Sequence, residues 1–156
     1  MGRIYRLPLV RTAVTAAVDL AEITAPAARL LIVHEIELSQ STEVKDAEEE
    51  MLQLTWISGH ATSGSGGNAA VVAVPRLISD AAGTSVNETF NTTIASTGTA
   101  VNHGLWDWNL RIPFQKIFTP ETRIIIVPSV RHVLRLAAAP ADSVTIGGSV
   151  VFEELG

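Results

Sequence analysis

The chain has 156 residues and a mass of 16.6 kDa, which fits one ordinary domain and is too short for two comfortable ones. Hydrophobic residues make up 47% and charged residues 17%, which excludes a disordered chain, and the lack of cysteine excludes disulfides and thiolate metal sites. The formal net charge of -5 argues against nucleic acid as a partner, because it opposes a phosphate backbone.

The first predicted element is a basic, extended N-terminal stretch. Its charged residues are all arginines, and no acidic residue occurs before Asp19. Residues 1–11 are interpreted either as an arm that adds to another subunit's sheet or as an edge strand of the same molecule. Pro8 limits ladder pairing in both cases, because it has no backbone N–H. The arm hypothesis assigns partner binding to Arg3, Ile4, Tyr5, Arg6, Leu7 and Leu9.

Alternating apolar and polar residues predict strands through most of the chain. In the first clear example, from Arg29 to Gln40, one face carries Leu30, Ile32, His34, Ile36 and Leu38. This alternation places His34 in an apolar row and therefore predicts a hydrogen-bonded core histidine. Near the end of the chain a second face is shared by Val144, Ile146, Val150 and Phe152. No long helical pattern separates the strands, so the sequence predicts an all-β fold: one antiparallel, jelly-roll-like β-sandwich spanning residues 1–156.

The connections between the predicted strands have distinct compositions. An acidic segment at 43–50 is interpreted as a solvated loop or as an electrostatic contact to a basic partner, and cation binding there stays open. Thr62–Asn68 is predicted to be a flexible surface loop because it is rich in glycine and serine. The stretch from Ser79 to Gly104 is predicted to be a long, exposed excursion with at most a short strand.

Motifs for catalysis and cofactor binding are missing from the sequence. There is no nucleophile elbow and no phosphate-binding P-loop, and the four histidines are isolated from one another. Gly64–Ala69 matches a dinucleotide-binding pattern, but a strand-like run follows it where a helix is required. We therefore expect no catalytic residues, no metal site and no cofactor, and the apolar runs are too short for a membrane span.

Large apolar side chains in the predicted strands admit two interpretations. Aromatic residues spaced along one strand face can stack on sugar rings, but they are also typical of a sandwich core or a subunit interface. Because Trp106 and Trp108 share their face with aliphatic residues, the sequence favours core or oligomer interface. The residues assigned to core or interface are Trp56, Trp106, Trp108, Ile124 and Ile126.

Five segments carry a resemblance to a known group of proteins: Met1–Tyr5, His34–Ser41, Asp46–Leu52, Leu134–Ser143 and Val150–Glu154. Together they resemble the small capsid decoration (cement) proteins of tailed bacteriophages. The resemblance implies a β-sandwich or jelly roll, commonly a homotrimer, bound to the major capsid protein on the outside of the virion head. Such a structural protein needs no enzyme activity, nucleic acid or membrane.

Two other functions fit a β-sandwich of this size. One is a carbohydrate- or receptor-binding module of a phage tail fibre or a secreted protein, which would use exposed aromatic side chains. The other is an enzyme of the cupin type, which would need histidine and glutamate side chains to converge inside the barrel.

Overall fold

The computed structural model describes residues 2–42 and 50–156, and within these ranges the chain is all-β and contains no helix. Among these residues no helix is therefore long and apolar enough to cross a membrane. The strands are β1 (Arg3–Val14), β2 (Val18–Thr24), β3 (Leu30–Gln40), β4 (Met51–Ser58), β5 (Val74–Pro75), β6 (Val86–Asn91), β7 (Val101–Asn109), β8 (Phe114–Ile117), β9 (Ile124–Ile126), β10 (Arg131–Leu136) and β11 (Val144–Leu155).

The strands form two antiparallel sheets that pack face to face. The six-stranded sheet has the order β5-β1-β11-β3-β8, with β9 also pairing with β3, and the five-stranded sheet has the order β6-β2-β10-β4-β7. Without β5, β6 and β9, the remaining eight strands have the connectivity of a jelly roll, which consists of two Greek keys. The predicted all-β, antiparallel sandwich is confirmed.

The core lies between the two sheets and is built from alternate residues of their strands. In β11 the alternation predicted from sequence is present, because Val144, Ile146, Val150 and Phe152 are all fully buried. Trp56 from the five-stranded sheet is among the largest buried side chains. The two sheets hold together chiefly by removing these apolar side chains from water.

The N-terminal stretch is a strand of the chain's own sheet and not a free arm. From Arg3 to Val14 it pairs with β11, and at Tyr5 and Arg6 its other side pairs with β5. Three of the residues assigned to partner binding are core residues, because Tyr5, Leu7 and Leu9 are buried. This stretch is thus a strand of the same molecule, although β5 covers part of what was expected to be a sheet edge.

The face assignments in β3 differ from the sequence prediction. The buried residues in its first half are Leu31 and Val33, whereas Ile36 and Leu38 are buried in its second half. The alternation changes phase at His34 because the pairing with β11 shifts register there. A bulge of this kind places two consecutive residues on the same side. The prediction of a core histidine is therefore wrong: His34 is partly exposed, and its Nε2 lies 3.2 Å from a carboxylate oxygen of Glu153.

Residues 59–100 form an insertion between β4 and β7. Its strand β5 extends the six-stranded sheet and its strand β6 extends the five-stranded sheet. Thr62–Asn68 is not a free loop, because three of its backbone N–H groups donate to carbonyl oxygens near β6. These hydrogen bonds are Thr62 to Ser96 (3.0 Å), Ser65 to Thr93 (2.9 Å) and Asn68 to Thr89 (2.8 Å). The prediction of a flexible loop is wrong, and the stretch from Ser79 to Gly104 includes β6 and the start of β7.

Three buried carboxylates fix the insertion to the sandwich. Asp19 accepts a hydrogen bond from the Ala95 backbone N–H at 2.6 Å and also pairs with Arg135. Glu22 accepts from Gly64 N–H at 2.9 Å and forms an ion pair with Arg131 at 2.7 Å.

The third carboxylate, Glu154 near the end of β11, performs the same task in the middle of the insertion. It accepts hydrogen bonds from the backbone N–H groups of Thr84 (2.8 Å) and Ser85 (3.1 Å), and it pairs with Arg29 at 3.2 Å. Buried carboxylates are tolerated only where such partners replace water. The insertion is therefore an integral layer of the fold.

The predicted acidic loop falls almost entirely on residues 43–49, which lie outside the described residues. The next strand, β4, begins at Met51. Glu50, the last acid of the segment, is held in place, because its carboxylate accepts a hydrogen bond from the Ala141 backbone N–H.

Candidate interaction surface

The outer faces of the two sheets differ in how much chain covers them. The insertion covers much of the outer face of the five-stranded sheet: Arg131 donates to the His60 carbonyl oxygen and Arg135 to that of Ala95. On the outer face of the six-stranded sheet, apolar side chains such as Ile117 and Ile125 remain exposed.

A groove of about 460 Å³ lies at one edge of the outer face of the six-stranded sheet, where β5 joins β1. Both apolar and charged side chains line it: Ile4, Arg6, Pro8, Glu35, Val74 and Arg76. A second depression of similar volume continues past Arg3, Leu77 and Asp80. We call these two depressions together the arginine groove.

The arginines of this groove are only loosely paired within the chain. Arg3 lies 3.7 Å from Asp80, and Arg6 lies 3.8 Å from Glu37. Both arginine side chains are at least half exposed, and such surface pairs contribute little to stability. Arg76 forms no ion pair with the described part of the chain, although its backbone N–H donates to Ile4. These guanidinium groups can therefore exchange their present neighbours for a partner's carboxylates.

An apolar turn projects beside the arginine groove. In it the backbone N–H of Asp80 donates to the carbonyl oxygen of Leu77 at 2.9 Å. The side chain of Ile78 is 98% exposed and that of Leu77 is 61% exposed. Adjacent large apolar side chains in water are typical of a protein interaction site. We call residues 77–78 the apolar turn.

The outer edge of β1 offers few free backbone groups for the addition of another strand. The carbonyl oxygen of Ile4 accepts a hydrogen bond from the backbone N–H of Arg76, which follows β5. Every second residue of a strand directs its backbone groups to the same side, so those of Ile4, Arg6 and Pro8 all face the β5 side. Pro8 has no N–H to offer at this edge, and proline is a common means of blocking strand addition. Backbone groups of Arg3–Leu7 are thus used for pairing within the chain's own sheet.

The side chains assigned to core or interface lie in or against the chain's own core. Trp56, Trp108, Ile124 and Ile126 are buried. Trp106 is half-buried, with its ring centroid 6.1 Å from that of Phe114 and 6.2 Å from that of Phe118. All eight aromatic side chains of the chain lie in the described ranges, and each of them is buried or half-buried.

His132, a buried histidine with a lowered pKa, lies beside Trp56. The indole N–H of Trp56 donates to Nδ1 of His132 at 2.9 Å, and the ring of His103 stacks on His132 at 5.1 Å. Burial, and secondarily the charge of His103, lowers the pKa of His132 from 6.5 to about 4. The neutral ring is thus the form that accepts the hydrogen bond from Trp56.

This histidine makes stability depend on pH. Its pKa is lower in the folded than in the unfolded state, so below pH 6.5 the unfolded chain binds more protons. We expect His132 to cost on the order of 3 kcal/mol of unfolding free energy as pH falls from 6.5 to 4. Urea denaturation across this range, compared with His132→Gln, isolates the effect because glutamine keeps an acceptor for Trp56. An equal pH dependence in both proteins would contradict it.

Within residues 2–42 and 50–156, no group of three or more histidine, aspartate or glutamate side chains is placed to hold a metal ion. The buried carboxylates of this part of the chain, Asp19, Glu22 and Glu154, bind backbone N–H groups and arginines of the fold. Their arrangement is that of structural groups.

Sequence reasoning placed Arg3, Ile4 and Arg6 on a binding surface, and in the structure these three side chains line the arginine groove. It missed Arg76 and the apolar turn, which the insertion brings to the same edge through the pairing of β5 with β1. The sequence signal for the apolar turn was the pair Leu77 and Ile78, which lies between Arg76 and Asp80. The surrounding stretch is otherwise rich in small and polar residues.

No family model, curated protein or solved structure matched the chain when it was compared with each of these.

Proposed function

We propose that this chain is a structural virion protein that decorates the outer surface of a phage head, as a homo-oligomer, and stabilises the shell. The observation that carries the proposal is the apolar turn, whose nearly fully exposed isoleucine stands beside an arginine groove on a rigid sandwich. This combination favours binding to a protein surface over turnover of a small molecule.

The fold supplies the parts that such a function needs. A jelly roll with a fastened insertion presents its surface without rearrangement, which limits the entropy lost on binding. A protein that binds the assembled shell better than its free subunits stabilises the shell by mass action. If several copies are joined as a homotrimer, as the resemblance implies, weak contacts to the major capsid protein reinforce one another through effective concentration.

The apolar turn provides the first test. In Ile78→Asp a charge replaces an apolar side chain at the centre of the surface, and we expect affinity for purified heads to fall by about tenfold or more. The substitution should leave the thermal unfolding midpoint unchanged, because Ile78 is exposed. Co-sedimentation of the protein with heads that lack it measures the occupancy.

The matched control is Ile112→Asp, which makes the same change at an exposed isoleucine outside this surface. It should bind heads like the wild type. Equal occupancy by all three proteins would contradict the role of the apolar turn. Absence of wild-type binding to any head, together with binding to a glycan array, would favour the carbohydrate- or receptor-binding alternative.

A further inference from the structure

We propose that β7 is the contact between copies of this chain, and that its outer edge pairs, antiparallel, with the outer edge of β7 in a second copy. The inference rests on the proposed self-association and names the strand that carries it. β7 lies on the β8 side of the sandwich, where Trp106 packs against Phe114, whereas the apolar turn follows β5 at the opposite edge. The contact therefore leaves the apolar turn free for the head.

β7 is the longest strand edge that the described part of the chain leaves unpaired. It has nine residues and pairs only with β4. The other edges are short or covered: β5 has two residues, β8 has four and β9 has three, and the outer side of β6 is bonded through Thr89 to Asn68. β7 contains no proline and no lysine, which commonly block such edges. An unblocked edge of this length is a template for another strand.

Two residues of β7 direct both of their backbone groups to the open edge. The N–H of Leu110 donates to the carbonyl oxygen of Glu50 at 3.2 Å, and alternate residues of a strand point their backbone groups to opposite sides. The N–H and C=O groups of Leu105 and Asp107 therefore point away from β4. Both side chains are exposed, so solvent reaches this part of the edge.

The free backbone groups select one register for the pair. If Leu105 lies opposite the second copy's Asp107, two-fold symmetry also places Asp107 opposite Leu105, and the N–H and C=O groups of both residues are all bonded. An axis through Asp107 would instead use Asn109, whose carbonyl oxygen already accepts from the N–H of Ile112 at 3.2 Å. An axis through Leu105 would use His103, which has no opposite residue in the irregular ladder with β4.

This register puts Trp106 at the two-fold axis, opposite the same residue of the second copy. The indole ring is half-buried at the rim of the core, against Phe114 and Phe118. Residues opposed in this way, without hydrogen bonds between them, have the closest side chains of an antiparallel ladder, and aromatic pairs there are stabilising. The contact is isologous and closes at two copies, in contrast to the homotrimer that the resemblance implies.

Sedimentation velocity of the full chain over a range of concentrations tests the contact, and we expect a dimer for the wild type. Leu105→Pro removes a donor that the chain's own sheet does not use, so it should weaken dimerisation by about tenfold or more. Leu105→Val is the matched control, because it keeps the N–H and suits a strand. It should dimerise like the wild type, and thermal unfolding verifies that each variant is folded.

The register has a test of its own, because the chain contains no cysteine. Leu105→Cys and Asp107→Cys, mixed under a mild oxidant, should form a disulfide-linked heterodimer. Hydrogen-bonded opposite residues have Cα atoms about 5.5 Å apart, which suits a disulfide. Either variant alone should cross-link several-fold less, because identical residues of the two copies lie diagonally across the ladder. This test remains available if Leu105→Pro does not fold.

Three results would overturn the inference: a monomeric or trimeric wild type, a dimer that a folded Leu105→Pro leaves intact, or cross-linking no stronger in the mixture than in either variant alone. A monomeric wild type whose binding to heads is lost in Leu105→Pro would assign this edge to the head instead. Head binding is measured separately by co-sedimentation. A wild type that forms this dimer but ignores heads would refute the decoration function and leave the contact standing.

Discussion

Asp19→Ala is expected to lower the free energy of unfolding by about 3–5 kcal/mol, the usual cost of removing one partner of a buried ion pair. The Asp19 carboxylate is fully buried, and it lies 2.6 Å from Nε and 3.2 Å from Nη2 of Arg135. It also accepts the Ala95 backbone N–H. The substitution leaves a buried guanidinium without its anion and a backbone donor of the insertion without its acceptor. Urea denaturation followed by tryptophan fluorescence measures the change.

Two further variants separate the charge effect from a general loss of packing. Asp19→Ala/Arg135→Met removes both charges and should recover part of the lost stability, because no uncompensated cation remains. Asp80→Ala breaks the exposed pair with Arg3 and should cost less than about 1 kcal/mol. A cost for Asp19→Ala as small as that for Asp80→Ala would show that the insertion does not depend on this carboxylate.

Leu7→Ala should destabilise the protein by about 2–5 kcal/mol, the range for deleting a buried leucine side chain without refilling the cavity. Leu7 has no exposed surface, because β1 lies between β5 and β11 and directs this side chain into the core. The measurement is again the free energy of unfolding in urea. If residues 3–9 formed a free arm, the same substitution would have no effect on stability.

Val10→Ala is the matched control in the same strand. Val10 is mostly exposed, so its truncation should change the unfolding free energy by no more than about 0.5 kcal/mol. Equal effects at Leu7 and Val10 would contradict the assignment of β1 to the core. Because β1 contributes four buried side chains, deletion of the N-terminal residues would abolish folding and is unsuited to testing partner binding.

The fold class was predictable because its signals are local. The alternation in β11 sets which side chains face the core, as Val144, Ile146, Val150 and Phe152 show. The phase change at His34 was not predictable, since it depends on how Val151 and Phe152 of β11 pair with β3. A register shift is a property of two strands, and a single strand's pattern does not contain it.

The contacts that attach the insertion to the sandwich, and the residues that line the arginine groove, could not be predicted for a related reason. The hydrogen-bond partners of Asp19 are Ala95 and Arg135, which are far away in the sequence. No local pattern around Asp19 indicates them. Arg76 reaches Ile4 only because a two-residue strand, β5, pairs with β1. Sequence reasoning could therefore identify the basic half of the candidate surface at Arg3 and Arg6, but not the insertion residues that complete it.

The strand order also governs how the molecule is made. The six-stranded sheet has β11 between β1 and β3, so its central strand is the last to leave the ribosome. Until then no strand links β1, with its neighbour β5, to β3, with its neighbours β8 and β9. Their apolar faces are then incompletely covered, a condition that promotes aggregation. Pairing of such distant strands is also slow, because a long loop must close first. We therefore expect the nascent chain to depend on holding chaperones, and its yield to improve when translation is slowed at low temperature.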